Sequence, residues 1–302
     1  MHSQPKLTFA GTLLAATLCV VGPTEFGVRV ACAQPPGDPA FKAAPAPPDG
    51  QRTPVSDLQR ARALVAGHAS ISARLVQTIS MFDRHVRAEG RYLQAPGRRV
   101  RMELNLKVGS TNGTLLEVCD GEILWSRQDI DQQPQISRRN VTQILEAARA
   151  AGTVPENMLI ADLGLGGLGS LLGALERSFE FSGMKDDTLR ERPVTIIQGE
   201  WSTFMQTNLR GADPNSPFPP YIPDVVRVTL DRENGVPLRL MYLKKVPGRD
   251  VLKPFLTLDF HDVKLGETID PAEFQFTVPE RVQPSELTQL YIQRLQPAAP
   301  PK

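Results

Sequence analysis

Cysteine is scarce: the chain has three in 302 residues. Cys19 and Cys32 fall in an N-terminal segment that reads as removable, which leaves Cys119 alone. No internal disulfide can then form, and the fold must rest on its core. A lone cysteine beside Val118 in a strand-like run reads as a small buried hydrophobe rather than a nucleophile. Histidine is nearly as rare. His68, His85 and His261 are the three beyond that segment, no two of them at metal-ligand spacing, so no metal site and no cofactor is expected. Aromatics make up 6% of the chain, too few for a platform that stacks bases or sugars. Charge of one sign is also missing. Removing residues 1–33 takes away Lys6, Arg29 and Glu25, so 34 basic and 33 acidic residues become 32 and 32. A neutral chain lacks the basic footprint that nucleic acid requires. No apolar run reaches the ~20 residues of a membrane-spanning helix. There is no Gly-x-Ser-x-Gly elbow, no Ser-x-x-Lys and no His-Glu-x-x-His, so no enzyme is expected, although a triad scattered along the chain leaves no such trace.

Proline is abundant instead, with 27 residues, and its placement divides the chain. Residues 1–33 read as a secretory signal: Lys6 is the basic end, Leu7 to Val21 the apolar stretch, and Ala31-Cys-Ala33 the cleavage pattern. Neither Cys19, preceded by Leu18, nor Cys32, with Arg29 three before it, sits in a lipoprotein box. The mature protein is therefore expected outside the cytoplasm, periplasmic or otherwise exported, and not itself lipidated. Residues 34–54 form a Pro/Ala-rich linker, residues 55–295 a single folded unit, and residues 296–302 a disordered tail.

Within that unit, Ser56 or Asp57 can cap a helix to about Ala66. Period-2 alternation then begins, with Ile71, Ala73, Leu75 and Ile79 on one side. The clearest strand follows the Pro96-Gly97 turn: Val100, Met102, Leu104, Leu106 and Val108 alternate with Arg99, Arg101, Glu103, Asn105 and Lys107. Asp120-Gly121 and Asn234-Gly235 are hairpin turns. Asn140 caps a helix to about Ala151, and a second helical region spans roughly 155–178. Further strands are expected at 179–182, 194–198, 201–208, 225–231, 238–246, 252–263 and 274–278, with a short helix near 285–295. Strands that follow one another through tight turns give an α+β fold. It is a large curved antiparallel sheet, an incomplete β-barrel, with helices covering its concave apolar face.

Gly164-Leu-Gly166-Gly-Leu-Gly169 spells a dinucleotide fingerprint but lacks the preceding strand and the βαβ unit. It reads either as a flexible entry into a leucine-rich helix or as a lid hinge. His261 shares a strand side with Asp259, while Asp262 points the other way, so the trio reads as a solvated edge. The sequons at Asn112 and Asn140 read as a turn and a helix cap. Asp213 to Asp224 carries five prolines with Phe218 and Tyr221, a stiff loop that fills the end of the sheet or meets a partner.

In order along residues 57–281 stand the tyrosine strand turning at Pro96-Gly97 into Arg99-Val-Arg-Met-Glu103, then Val118-Cys-Asp-Gly-Glu-Ile-Leu-Trp125. Helices and hairpins follow, and then Phe274-Gln-Phe-Thr-Val-Pro279. This resembles the LolA-like superfamily of periplasmic lipoprotein carriers and lipoprotein-sorting proteins. The resemblance implies an incomplete barrel closed by helices around a cavity for acyl chains, and passage of lipoprotein or lipid across the periplasm to the outer membrane. In the lipoprotein carrier an arginine just before the turn proline latches the helical lid. Here Ala95 takes that place, with Arg98, Arg99 and Arg101 as substitutes. The expected lining is Met102, Leu104, Leu106, Trp125, Leu165, Leu168 and Leu172. Acylated lipoprotein or lipid is the expected partner of a monomer, with envelope membrane proteins for loading and release. The rival reading is an envelope sensor or interaction module on the same scaffold.

Overall fold

The computed structural model describes residues 38–39, 52–81, 84–108, 111–130, 133–151, 167–210, 217–219, 221–280 and 282–295. The signal segment 1–33, most of the linker 34–54, the tail 296–302, and Leu165 with the start of the glycine-rich stretch lie outside the described residues. So do residues 213–216 of the proline-rich loop. No helix among the described residues is long and apolar enough to cross a membrane.

One sheet organises the chain. Its strands are β1 (Asp38–Pro39), β2 (Ile71–Met81), β3 (Arg84–Ala95), β4 (Arg99–Val108), β5 (Thr111–Asp120), β6 (Ile123–Ile130), β7 (Gln133–Asn140), β8 (Phe179–Leu189), β9 (Arg192–Trp201), β10 (Val225–Asp231), β11 (Pro237–Lys245), β12 (Val251–Leu265) and β13 (Ser285–Glu286). The order is β13-β7-β6-β5-β4-β3-β2-β12-β11-β10-β9-β8, with β1 paired to β12. Neighbours are antiparallel except β13, which runs parallel to β7. The sheet does not close on itself, as the antiparallel alternation predicts for an incomplete barrel.

Five helices among the described residues accompany it: α1 (Pro54–Gly67), α2 (Val141–Ala151), α3 (Gly167–Ser178), α4 (Thr203–Arg210) and α5 (Thr288–Leu295). The cap of α1 is Thr53 rather than Ser56 or Asp57. Thr53 and Ser56 bond reciprocally as a capping box, and Pro54 supplies the first turn. Asn140 caps α2 as expected, its Oδ1 accepting from the Gln143 amide at 2.9 Å.

Register fixes which side chains share a face. One face carries Ile71, Ala73 and Leu75 of β2, Tyr92 of β3, Met102 and Leu104 of β4, and Leu256, Leu258 and Phe260 of β12. These pack with Leu58 and Val65 of α1 and Leu168, Leu172 and Leu175 of α3 in one core. We call this the inner face. A second inner-face cluster joins Cys119 and Leu124 to Ile144 and Leu145 of α2, with Tyr291 and Leu295 of α5 against it. Helices thus cover the inner face in two patches.

The outer face carries ion pairs, Arg91 and Arg101 on Glu103 among them. It is not wholly wet, however. Val118 and Ile136 are buried there, and residues 270–278 lie across it. Pro271–Phe274 is a 3₁₀ turn, and residues 275–279 belong to no strand of the sheet, so the expected strand at 274–278 does not form. The aromatic-x-aromatic pattern serves a different end: Phe274 is buried and Phe276 stacks on Trp125. The chain then pairs β13 with the edge strand β7 and returns to the inner face as α5. The C-terminal segment is therefore a strap around one edge of the sheet.

Three other expectations change. Residues 203–210 form α4 instead of continuing a strand. Ser202 begins the turn, its carbonyl accepting from the Gln206 amide at 2.8 Å, while the Trp201 indole is anchored to the Pro223 carbonyl at 2.7 Å. Asn112 lies within β5 rather than in a turn. A bulge between His261 and Lys264, with Asp262 at φ 52°, turns Asp262 back to the outer face, where Arg74 binds it.

Candidate functional site

Strand β4 presents an apolar wall to the inner face. Met102, Leu104 and Leu106 are 3%, 1% and 8% exposed, side by side on the inner face. Met102 pairs with Tyr92, and Leu104 with Gly90 and Leu115. Gly90 is where β3 must carry no side chain: a Cβ there would stand 1.7 Å from the Glu103 carbonyl oxygen. The bare backbone lets β3 and β4 bend together at the centre of the wall.

Helix α3 packs on α1 and β8, and its leucines join the same core as this wall. Its leucines follow the 3.6-residue period, so Leu168, Leu172 and Leu175 point down together. Leu168 and Leu172 are fully buried in the same core as Met102 and Leu104. On the outward side, Glu176 binds Arg62 at 2.6 Å and accepts from Gln59 at 2.6 Å, tying α3 to α1.

A single side chain holds the N-terminus of α3. Gln94 Oε1 accepts the Leu168 amide at 2.9 Å and the Tyr92 hydroxyl at 2.9 Å. The amide is one of the donors that a helix start leaves unsatisfied. Burial pushes the Tyr92 hydroxyl pKa far up, so it stays a donor. Gly167, at φ 58°, is required here twice over: a Cβ would also meet Gln94 Oε1 at 2.0 Å and the Tyr92 hydroxyl at 2.9 Å.

The side chain that meets the start of α3 is thus Gln94, one residue before Ala95. Arg99 and Arg101 face outward. Arg99 donates to the Pro96 carbonyl at 2.9 Å and lies over Phe274, while Arg101 donates to the Glu273 carbonyl at 3.0 Å. Arg98 sits in the turn at φ 64°.

Five of the seven expected lining residues, Met102, Leu104, Leu106, Leu168 and Leu172, belong to one buried core. Trp125 does not join them. It pairs with Val118 and Arg138, an outer-face row. Its ring stacks on Phe276 at 5.0 Å under the Arg138 guanidinium. Leu165 lies outside the described residues. Phe218 is packed rather than free: Arg210 lies over its ring at 4.6 Å.

Sequence reasoning missed a polar group on the inner face of β5 to β7. Arg139 donates to Ser126 Oγ, and to the Tyr291 hydroxyl at 3.1 Å. Glu117 Oε1 stands 3.9 Å from Arg139. Burial pushes Glu117 above the usual carboxylate range, against the opposing pull of Arg139 and Ser126. At the sheet rim, a groove of about 670 Å³ is walled largely by outer-facing Asn105, Lys107, Thr114, Arg127 and Asp129.

No family model and no curated protein matches the sequence. Solved structures do match in part. MucB is 14% identical over 74% of this chain, with a TM-score of 0.35; this chain covers 62% of the MucB chain. LprF from Mycobacterium bovis is 10% identical over 72% of this chain and 94% of its own, with a TM-score of 0.37. A putative outer membrane lipoprotein-sorting protein domain from Vibrio parahaemolyticus is 12% identical over 73% and 95%, with a TM-score of 0.31. All three matches stay below 15% identity and below a TM-score of 0.4.

Proposed function

We propose that the protein is an exported carrier that shields an acyl chain, of a lipoprotein or a lipid, between the inner face of its sheet and α3. It would deliver that cargo to the outer membrane without covalent catalysis. The observation that carries this reading is the construction of α3. Three leucines press on an apolar wall, while one neutral side chain, Gln94, holds the helix start. An acyl chain needs such a wall, because each methylene kept from water contributes ~0.8 kcal/mol. Release needs a cover of modest stability, and a neutral hydrogen bond contributes only about 1 kcal/mol. In the closed form described here the leucines of α3 take the place of cargo, since every wall residue is already buried.

Native mass spectrometry of the protein purified from its envelope, followed by organic extraction, tests the reading. Co-purifying acyl lipid or lipopeptide is expected. A bare chain that also takes up no added fatty acid or lipopeptide sinks it.

A second reading, an envelope sensor or interaction module, is favoured by the exposure of Phe204 (75%) and Tyr221 (40%). Capture of a stoichiometric envelope protein with no bound lipid would select it.

A further inference from the structure

Arg139 is a cation sealed inside the protein with less compensation than its burial demands. It is 6% exposed. Two of its nitrogens meet the neutral hydroxyls of Ser126 and Tyr291. Its Nε has no hydrogen-bond partner among the described residues. The carboxylate that faces it, Glu117, stands at 3.9 Å, beyond hydrogen-bond reach. Buried charges are normally tightly paired and fully hydrogen-bonded; this one is neither.

Its position adds to the argument. Glu117 is the cross-strand partner of Met102 on one side and of Ser126 on the other. An inner-face row therefore runs Tyr92, Met102, Glu117, Ser126, with Arg139 reaching Ser126 from β7. The apolar wall beneath α3 passes directly into the polar group beneath α5.

We propose that Arg139 receives the terminal carboxylate of an acyl chain lying along this row, so that the preferred ligand is a long-chain carboxylic acid rather than a neutral lipid. This rests on the carrier reading above. A carboxylate brings two coplanar acceptor oxygens, the geometry that a guanidinium edge matches. Burial shifts Glu117 toward its neutral form, against the pull of Arg139 and Ser126, which lessens its repulsion of the bound carboxylate. A hydrocarbon tail then runs back along Met102 and Leu104.

Calorimetric titration of the full chain at neutral pH with laurate and with methyl laurate tests this. Laurate is expected to bind at least about tenfold tighter, the scale of one charge-assisted hydrogen bond in a buried site. Arg139→Met should erase the preference and leave methyl laurate unaffected. Glu117→Gln, which keeps size and shape, should tighten laurate and leave methyl laurate unaffected; an effect on packing alone would move both. Equal affinities in the unaltered chain overturn the proposal and leave the carrier reading standing. Failure of both ligands to bind overturns both. Should Arg139→Met fail to fold, Glu117→Gln decides: laurate binding that is unchanged or weaker overturns the proposal.

Discussion

The carboxamide oxygen of Gln94 lies 2.9 Å from the backbone amide of Leu168, and the side chain of one strand residue thereby fixes the start of the covering helix. The Tyr92 hydroxyl shares the same acceptor. Freeing that end of α3 breaks the Leu168 hydrogen bond and exposes the buried Leu168 side chain, while the Tyr92 bond, within β3, remains.

Gln94→Leu removes the acceptor and leaves two buried donors unpaired, a loss of about 1–3 kcal/mol. Amide exchange at Leu168 and its neighbours should quicken, with the sheet amides of β4 unchanged. Gly167→Ala should act in the same direction, because its Cβ would displace the carboxamide. Unaltered exchange in either variant would show that Gln94 is no latch.

Leu172→Ala removes a fully buried side chain from the underside of α3. Core truncations of this kind cost about 2–5 kcal/mol. Chemical denaturation should show the loss, and uptake of a fluorescent acyl probe should become faster because the cover binds its own wall less well. Slower uptake would contradict a cover that competes with cargo.

Phe276→Ala removes the ring stacked on Trp125 at 5.0 Å. Stacked aromatic pairs contribute about 0.5–1.5 kcal/mol beyond the area they bury. Stability should fall and the tryptophan emission shift to the red, while acyl binding stays unchanged, since Trp125 faces outward. Lost acyl binding at native stability would return Trp125 to the lining.

Burial raises the Glu117 pKa in the folded state, Arg139 and Ser126 opposing. A carboxyl with a raised folded pKa favours the native state at low pH, and that contribution is lost as pH rises through the raised value. Glu117→Gln should therefore stabilise the protein at neutral pH, and the difference should shrink as pH falls to about 4, the ordinary carboxylate range. Thermal unfolding from pH 4 to 8 measures it. A variant destabilised at pH 7 would mean that the charge of Glu117 is needed by Arg139.

The sheet was legible because wet and dry residues alternate along β4, and because Asp120-Gly121 fixes the neighbouring register. Helix α4 was not, since Trp201, Thr203 and Met205 alternate like a strand; the turn at Ser202 is decided by long-range anchoring of Trp201. The side of Trp125 was equally hidden. Ile123 to Ser126 offers apolar residues on both sides, and only pairing of Cys119 with Leu124 sends Trp125 outward. The wall of Met102, Leu104 and Leu106 came from one strand's parity. Gln94, Arg139 and Glu117 left no local sign, because their partners lie 74, 152 and 9 residues away.

A sheet left open has two borders, and each is a template on which another copy could continue the ladder. Here both are spoiled. On one side Ser285 and Glu286 occupy part of β7, held by Arg138 on Glu286 at 2.7 Å. On the other, β8 presents exposed Lys185, Asp186 and Asp187 after an irregularity near Phe181. Cutting the chain before the strap would bare the rest of β7, and its unpaired backbone would become a place for a second copy to adhere.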